Sequence, residues 1–541
     1  MRLRTAALLV PLAVAGCTST AQMPSETATP RPPAGPTPTA LADVDLVQRY
    51  QATITPGELQ GLLYTYADDY MAGRETGQPG QRFAARFLAG QYAAMGITPK
   101  GTGTGGPLDR YLQPFELEQK TLQRLTLTVD RADGSRALTR EATADDLSGV
   151  VAIPAYGQIE SGAPARLVFV GDGSQLDGLA LEGAYAVMTP GADQQATRGA
   201  LAALNGVGVE GVFLAASPAA AALQAQAGRA FGPGRLALPA EDDTEPGDGG
   251  LPTILLMGQD TVAQLMAEAG IEAGADGTYP RGDTGLVLAL DADYQTSMVE
   301  TENVVAFVEG SDPVLKNEVV VVSAHLDHVG DDGEGEDTIY NGADDDGSGT
   351  VTVLEIAEAF QQARLDGHGP RRSILLLHVT GEEKGLLGSE YYADREPLVP
   401  VANTAANLNI DMIGRYDPER GFETTDYVYI IGGDLISQDI ADWNAAVNDA
   451  TGTDIFLSDR FNSPDDPNQF FRRSDHWNFG KYDVPFIFYF TGTHEDYHGV
   501  GDSPDKIDYD RMARIGRLIF GTAWEIANRD ERPAVSGVGF N

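Results

Sequence analysis

Apolar residues recur near the start of the chain, in "TPGELQGLLYTYADDYMAG" and in "GQPGQRFAARFLAGQYAAMG" at Phe83, Phe87, Leu88 and Tyr92. The pair Thr55-Pro56 is a helix-entry signal, so two amphipathic helices are expected there. The period then falls to two: "YLQPFELEQK" and "LQRLTLTVDRADG" alternate apolar and polar positions and predict a strand pair turning at Asp133-Gly134. From about Leu147 to Asp291 short apolar runs ("RLVFVG", "AYAVMT", "GVFLA", "PTILLM") are separated by Gly- and Ala-rich helical pieces, the texture of a smaller unit of its own. Beyond it come "TENVVAFVEG", "NEVVVVSAH", "RRSILLLHVT", "ANLNIDM", "DYVYIIGG" and "VPFIFYF", with helical periodicity around 349–364, 436–450 and 508–528. Nearly continuous Val/Ile/Leu strands alternating with helices predict an α/β fold, a mixed central sheet with helices on both faces and an inserted smaller α/β unit.

Composition adds boundaries to this picture. A chain of 541 residues exceeds what one core usually serves, so two folded units plus tails are expected. The stretch "TSTAQMPSETATPRPPAGPTPTA" is rich in Pro, Thr and Ser and reads as a tether. The expected order is a leader at 1–17, a tether at 18–45, a first catalytic part at 46–140, the insertion at 141–292, a second catalytic part at 293–530 and a tail at 531–541. The acidic loop "PAEDDTEPGDGG" within the insertion is expected to be exposed.

A net charge of −42 argues against nucleic acid and against an anionic membrane surface, both of which are bound by clustered Lys and Arg. It otherwise describes a heavily hydrated surface. The first residues, "MRLRTAALLVPLAVAGC", join a basic start to an apolar run too short to span a bilayer and end on Cys17, the only cysteine. They resemble a bacterial lipoprotein signal, which implies lipidation at Cys17, a membrane contact through that anchor only, and export; Ala13-Val14-Ala15 offers an ordinary secretory cut instead. Either way one cysteine permits no internal disulfide.

The chemistry gathers where strands end. "VVVVSAHLDH" delivers His325 and Asp327, "SILLLHVTGEE" delivers Glu382 and Glu383, and "ANLNID" delivers Asp411, at the ends where open α/β sheets bind ligands. Mixed imidazole and carboxylate donors suit a borderline divalent cation such as zinc. The run Asp344-Asp345-Asp346 repels itself unless cations sit nearby; capping of the helix that follows would explain one Asp, and the calcium-loop spacing is missing. "HEDYH", His494 to His498, fits H-E-x-x-H, but it is followed by Gly499, Gly501 and Pro504 without apolar periodicity and reads as a loop, which loses the helical geometry that motif needs. No G-x-S-x-G occurs.

"SAHLDH", "GADDDGSG", "TGEEKGLLGS", "NIDM", "SDHWNF" and "YHGVGDSPDK" together resemble the co-catalytic di-zinc exopeptidases that include bacterial leucyl-type aminopeptidases and glutamate carboxypeptidase. The likeness covers about residues 50–130 and 300–530, and the insertion is similar in position and texture to a protease-associated domain. The resemblance implies two zinc ions, with His325 and Asp411 on one, Glu383 and His498 on the other, and Asp345 bridging. It further implies Glu382 as general base, Tyr497 as a donor to the oxyanion and Asp327 as the partner of the second ring nitrogen of His325. The activity it implies is removal of N-terminal residues from a peptide substrate; a carboxypeptidase, a glutaminyl cyclase and a non-catalytic surface binding protein are the competing readings. His328 stands where relatives commonly have serine. His378 in its apolar strand reads as a core histidine, His368 as solvent-facing, His476 as structural, and Asp344 and Asp346 as residues that shape the loop.

Overall fold

Thr55 opens the first expected helix by accepting a hydrogen bond from the Glu58 backbone N–H, with Pro56 preset at the first helical position. The computed structural model describes residues 41–537, apart from position 42 and the stretches 147–151, 157–160, 217–230, 232–233, 241–252, 276 and 334. The leader with Cys17, nearly all of the tether and most of the acidic loop lie outside the described residues. The longer helices among the described residues are α1 (Val44–Gln51), α2 (Pro56–Tyr66), α3 (Pro79–Met95), α4 (Gln194–Gly206), α5 (Gln259–Glu268), α6 (Gly349–Leu365), α7 (Gln438–Thr451) and α8 (Tyr509–Asn528). The chain is therefore already helical at Val44, inside the stretch expected to be tether.

The main strands are β1 (Leu112–Arg131), β2 (Arg136–Thr143), β3 (Ala152–Tyr156), β4 (Ala165–Gly171), β5 (Tyr185–Met188), β6 (Gly211–Ala216), β7 (Ile254–Gly258), β8 (Gly282–Val308), β9 (Val319–His325), β10 (Ser373–Val379), β11 (Thr404–Ile410), β12 (Tyr427–Gly432), β13 (Phe456–Ser458) and β14 (Phe486–Phe490). They hydrogen-bond in the order β13-β12-β14-β11-β9-β10-β8-β4-β5-β6-β7-β3. β1 pairs antiparallel along β8, and β2 pairs with β1 across the turn that contains Gly134 in the left-handed region. Two expectations change here. "YLQPFELEQK" and "LQRLTLTVDR" form one 20-residue strand, not a pair, and β8 crosses the expected boundary at residue 292 without interruption. The two long strands tie the insertion to the catalytic part as one ribbon.

Within the catalytic part β9 runs parallel to β10 and to β11, and β11 runs parallel to β14, so their carboxyl ends open on the same side. Alternate residues split between faces as a pleat requires. Val320, Val322 and Ala324 pack with Leu354, Phe360, Leu518 and Trp524 of α6 and α8, while Val319, Val321, Leu375 and Leu377 pack with Tyr392, Val399 and Phe479 on the other side. Burial of both faces explains why these strands read as continuous apolar runs.

Candidate metal centre

His325 is the last residue of β9, Asp411 follows β11 directly, and Glu382 and Glu383 follow β10 by a short turn through Gly381, whose φ of 73° a side chain would strain. Asp345 lies in the loop ahead of α6, next to an Asp345–Asp346 peptide that is cis. His498 lies in the loop after β14. From these separate elements the fold brings His325 Nε2 to 3.1 Å from Asp345 Oδ1 and 3.7 Å from Asp411 Oδ1. On the other side of Asp345, His498 Nε2 lies 3.1 Å from Asp345 Oδ2 and 3.1 Å from Glu383 Oε2. Asp345 thus offers one oxygen to each group.

The hydrogen bonds around the cluster decide which atoms are free to bind. His325 Nδ1 lies 3.1 Å from the Asp327 backbone carbonyl, which can only accept, so Nδ1 carries the proton and Nε2 faces the carboxylates. The Asp327 carboxylate is 3.8 Å from that nitrogen. Its oxygens instead accept from the Thr76 hydroxyl at 2.7 Å and the Glu382 backbone N–H at 3.2 Å. Asp327 thus meets the second ring nitrogen of His325, through its carbonyl, while its carboxylate orients the Glu382 turn.

His325 Nε2, Glu383 Oε1 and both ring nitrogens of His328 are buried without an aligned hydrogen-bond partner. Buried polar atoms left in this state are costly unless something else engages them. The electrostatics agree. Burial opposes it, but Asp411 and Asp345 hold the His325 imidazole well above its ordinary value, and Asp345 and Glu383 lift that of His498 to about 10. Burial raises the Glu382 carboxyl well above its usual range, with Asp411, Glu383 and Asp475 adding to the effect against His325. Asp345 moves the other way despite burial, because the imidazoles of His325, His498 and His328 crowd its carboxylate. Surroundings that retain protons this strongly are matched to dications, and the two donor groups, His325/Asp345/Asp411 and His328/Asp345/Glu383, fit them.

The remaining acidic residues answer to backbone. Asp346 accepts from the N–H groups of His325, Gly349 and Met412, joining β9, α6 and the end of β11. Asp344 accepts from Gly414 N–H at 2.6 Å and faces His494 Nε2 at 3.3 Å. His494 Nδ1 accepts from the Asp496 N–H, so its proton sits on Nε2 toward Asp344 and it is no metal donor; residues 494–498 form turns with no helix. His378 is buried against the Tyr92 hydroxyl at 2.7 Å, and His476 stacks on Phe488 and donates toward the Phe471 carbonyl; burial pushes both imidazoles down to about 3. His368 is exposed as expected but also bonds the Tyr50 hydroxyl at 2.7 Å. Tyr497 lines the cleft with Glu382 and Asp345 and stacks on His498.

Several participants carried no clear sequence signal. His328 Nδ1 lies 2.7 Å from Glu383 Oε1, opposite the side that meets His498. The Asp502 carboxylate accepts from the N–H groups of Asp344 and Asp345. Buried Arg74 spends its guanidinium on the carbonyls of Leu326, Tyr66, Asn341 and Gly342, pinning the loop ahead of Asp345 to the end of β9. His328 and Asp502 fall inside "SAHLDH" and "YHGVGDSPDK", but neither motif attaches a role to them.

Parallel strands within a mixed α/β sheet, with the loops beyond their carboxyl ends, thus bring imidazoles and carboxylates together around Asp345 as a candidate metal centre. Residues 303–523 match the model of Peptidase family M28. It is 29% identical over 276 residues to a probable zinc metalloprotease of Pyrenophora teres f. teres (43% of this chain, 53% of that protein) and 25% identical over 222 residues to aminopeptidase YwaD of Bacillus subtilis (40% and 43%). The chain spans about half the length of the curated relatives it matches. The solved aminopeptidase of Aneurinibacillus sp. strain AM-1 has the same fold, with a TM-score of 0.51 at 16% identity over 91% of this chain and 99% of that one.

Proposed function

We propose that the chain is a zinc-dependent aminopeptidase with two zinc ions, His325 and Asp411 holding one, His498 and Glu383 the other, and Asp345 both. The observation that carries this reading is Asp345 itself, 3.1 Å from His325 through one oxygen and 3.1 Å from His498 through the other. The zinc reading is supported by the match of residues 303–523 to that family's model and by the probable zinc metalloproteases among the relatives. Two bound zinc ions would supply a water that loses its proton near neutral pH and a positive charge for the carbonyl oxygen.

The chain's own residues do the rest. Glu382 sits beside the cluster without belonging to either donor group, so its carboxylate takes the proton of the attacking water and delivers it to the nitrogen of the breaking bond. Asp327 fixes the Glu382 turn through the backbone N–H. The Tyr497 hydroxyl is placed to donate to the oxygen that gains charge. Phe470, Phe488, Phe490 and Met412 wall the cleft beside Asp411 and Glu382, an apolar seat for the side chain preceding the scissile bond. We also propose export through residues 1–17 with lipidation at Cys17, and a protease-associated-like role for 141–292; Cys17→Ser should release the protein from the membrane fraction.

The test is Glu382→Gln, with a loss of about 100- to 10,000-fold in kcat at unchanged zinc content. Free and N-acetylated peptides assayed side by side separate the competing readings. Cleavage that requires a free amino end supports the aminopeptidase, release from the carboxyl end makes it a carboxypeptidase, and a wild-type chain that binds no zinc ends the proposal.

A further inference from the structure

Although acidic residues outnumber basic ones 79 to 37, the mouth of the metal cleft collects Arg235, Arg472, Arg473 and Lys384. Lys384 is neutralised by Glu75 at 2.8 Å. The three arginines are different: among the described residues none of them has a carboxylate within ion-pair distance. Their guanidiniums are nevertheless held in place. That of Arg472 lies 5.0 Å over the Trp477 ring, and that of Arg473 lies 5.0 Å over Phe470 and donates to the Tyr497 hydroxyl at 3.3 Å. Aromatic faces orient a guanidinium while leaving N–H edges for a planar anion.

Arg235 comes from the insertion. Leu236–Ala237 pairs with Glu118 and Gln119 of β1, and the Gln119 side chain donates to the Gly234 carbonyl, which fixes the strand that carries Arg235. Its Nη2 lies 3.5 Å from where a Cβ on Gly385 would stand, so it reaches the turn that bears Glu382 and Glu383. Arg235 and Arg472 line the cleft on the side of Glu383 and His498, away from the aromatic wall beside Asp411.

We propose that these arginines form a subsite for a carboxylate on the departing part of the substrate, within a residue or two of the scissile bond. The inference rests on the peptidase reading above. With the side chain of the attacked residue on the aromatic wall, the leaving peptide passes over Arg473 toward Arg235 and Arg472. The carboxylate has two sources: the free carboxyl end of a dipeptide or tripeptide, or an acidic side chain in a longer one. The subsite gives these three arginines, unpaired among the described residues, a use at the cleft mouth.

The experiment compares Leu-Ala, Leu-Ala-amide, Leu-Asp-amide and Leu-Lys-amide on the zinc-loaded full chain and on the exposed double variant Arg235→Gln/Arg472→Gln. The wild type should prefer a carboxylate-bearing peptide over Leu-Ala-amide by about tenfold in kcat/KM, expressed in KM. The ratio should approach one in the double variant and shrink as salt is raised, because exposed charges are screened. Preference for Leu-Ala alone identifies the chain end, preference for Leu-Asp-amide the acidic side chain. Equal use of all four, or a ratio unmoved in the double variant, overturns the subsite while leaving the peptidase intact. Affinities of Leu-Ala and Leu-Ala-amide for the Glu382→Gln protein, wild type and Arg235→Gln/Arg472→Gln at the rim, read the same ratio without turnover and so judge the subsite even if the peptidase reading fails.

Discussion

At the scale of single residues the centre is organised by which atom of each side chain is already spoken for. Glu383 shows this best: Oε2 meets His498 at 3.1 Å, Oε1 meets His328 at 2.7 Å, and the His328 ring rests on Gly342, where a Cβ would come within 2.6 Å of it. An imidazole on the outer oxygen fixes the carboxylate and keeps the inner one pointed at the second metal position. Removing a partner of this kind typically costs about 10- to 100-fold in metal affinity. His328→Ala should therefore lose one of two zinc ions during dialysis against a graded chelator, read as metal per chain, while His378→Gln keeps both; equal retention would strip His328 of this role. Of the candidate donors, His325, Glu383 and Asp411 were legible at the ends of apolar runs, and Asp345 and His498 through the resemblance that their motifs carry. His328, Asp502, His494 and Arg74 were not, since their work depends on chain segments hundreds of residues apart meeting, as Arg74 meets Gly342. Asp327 was legible as the partner of His325, but a spacing of two residues does not say which of its oxygens faces the ring.

At the scale of elements, α6 carries the shared aspartate's loop and its own electrostatic burden. Helix limits followed from caps and periodicity, as at Thr55 and at Asp508, which accepts from Arg511 N–H at the start of α8. The single strand β1 escaped notice because its middle, Glu118 to Thr121, is half-exposed on the ribbon and carries polar residues where a sandwiched strand would not. On α6, burial together with Glu58 and Glu358 pushes the Glu355 carboxyl up to about 8. An acid raised in the folded state binds its proton more tightly there than when unfolded. Its contribution is complete below the ordinary carboxylate range and disappears as pH climbs through about 8. Glu355→Gln should flatten that part of the stability profile and exceed the wild type at pH 9 by on the order of 2 kcal/mol, measured by urea denaturation of the metal-loaded protein at pH 6 and pH 9. A wild-type profile parallel to that of the variant would show that Glu355 is not the group responsible.

At the scale of the whole molecule, a chain of net charge −42 concentrates carboxylates at the one place where the sheet leaves its strand ends open. Asp345, Asp411, Glu382, Glu383, Asp475 and Asp502 stand together with imidazoles among them, so the dications proposed above would hold these strand ends together as well as serve chemistry. Protons can substitute in part. Burial lifts Asp475 to about 7 and Asp502 to about 6, with neighbouring carboxylates adding to each. Folded values above the unfolded ones mean stability that is present at low pH and lost as pH rises through 6 and 7. Glu383, held at about 2 by His328 and His498 against burial and Asp345, acts only below pH 5 and leaves this window unchanged. The chelated protein should therefore lose melting temperature between pH 5.5 and pH 8, and zinc should restore more of it at pH 8 than at pH 5.5. Saturation at about 1,000 times Kd is worth about 4 kcal/mol. Differential scanning fluorimetry with and without zinc at the two pH values reads the difference directly. An equal gain at both would mean that the carboxylates around Asp345 are balanced by something other than the metal positions, and the architecture proposed for the centre would have to be redrawn.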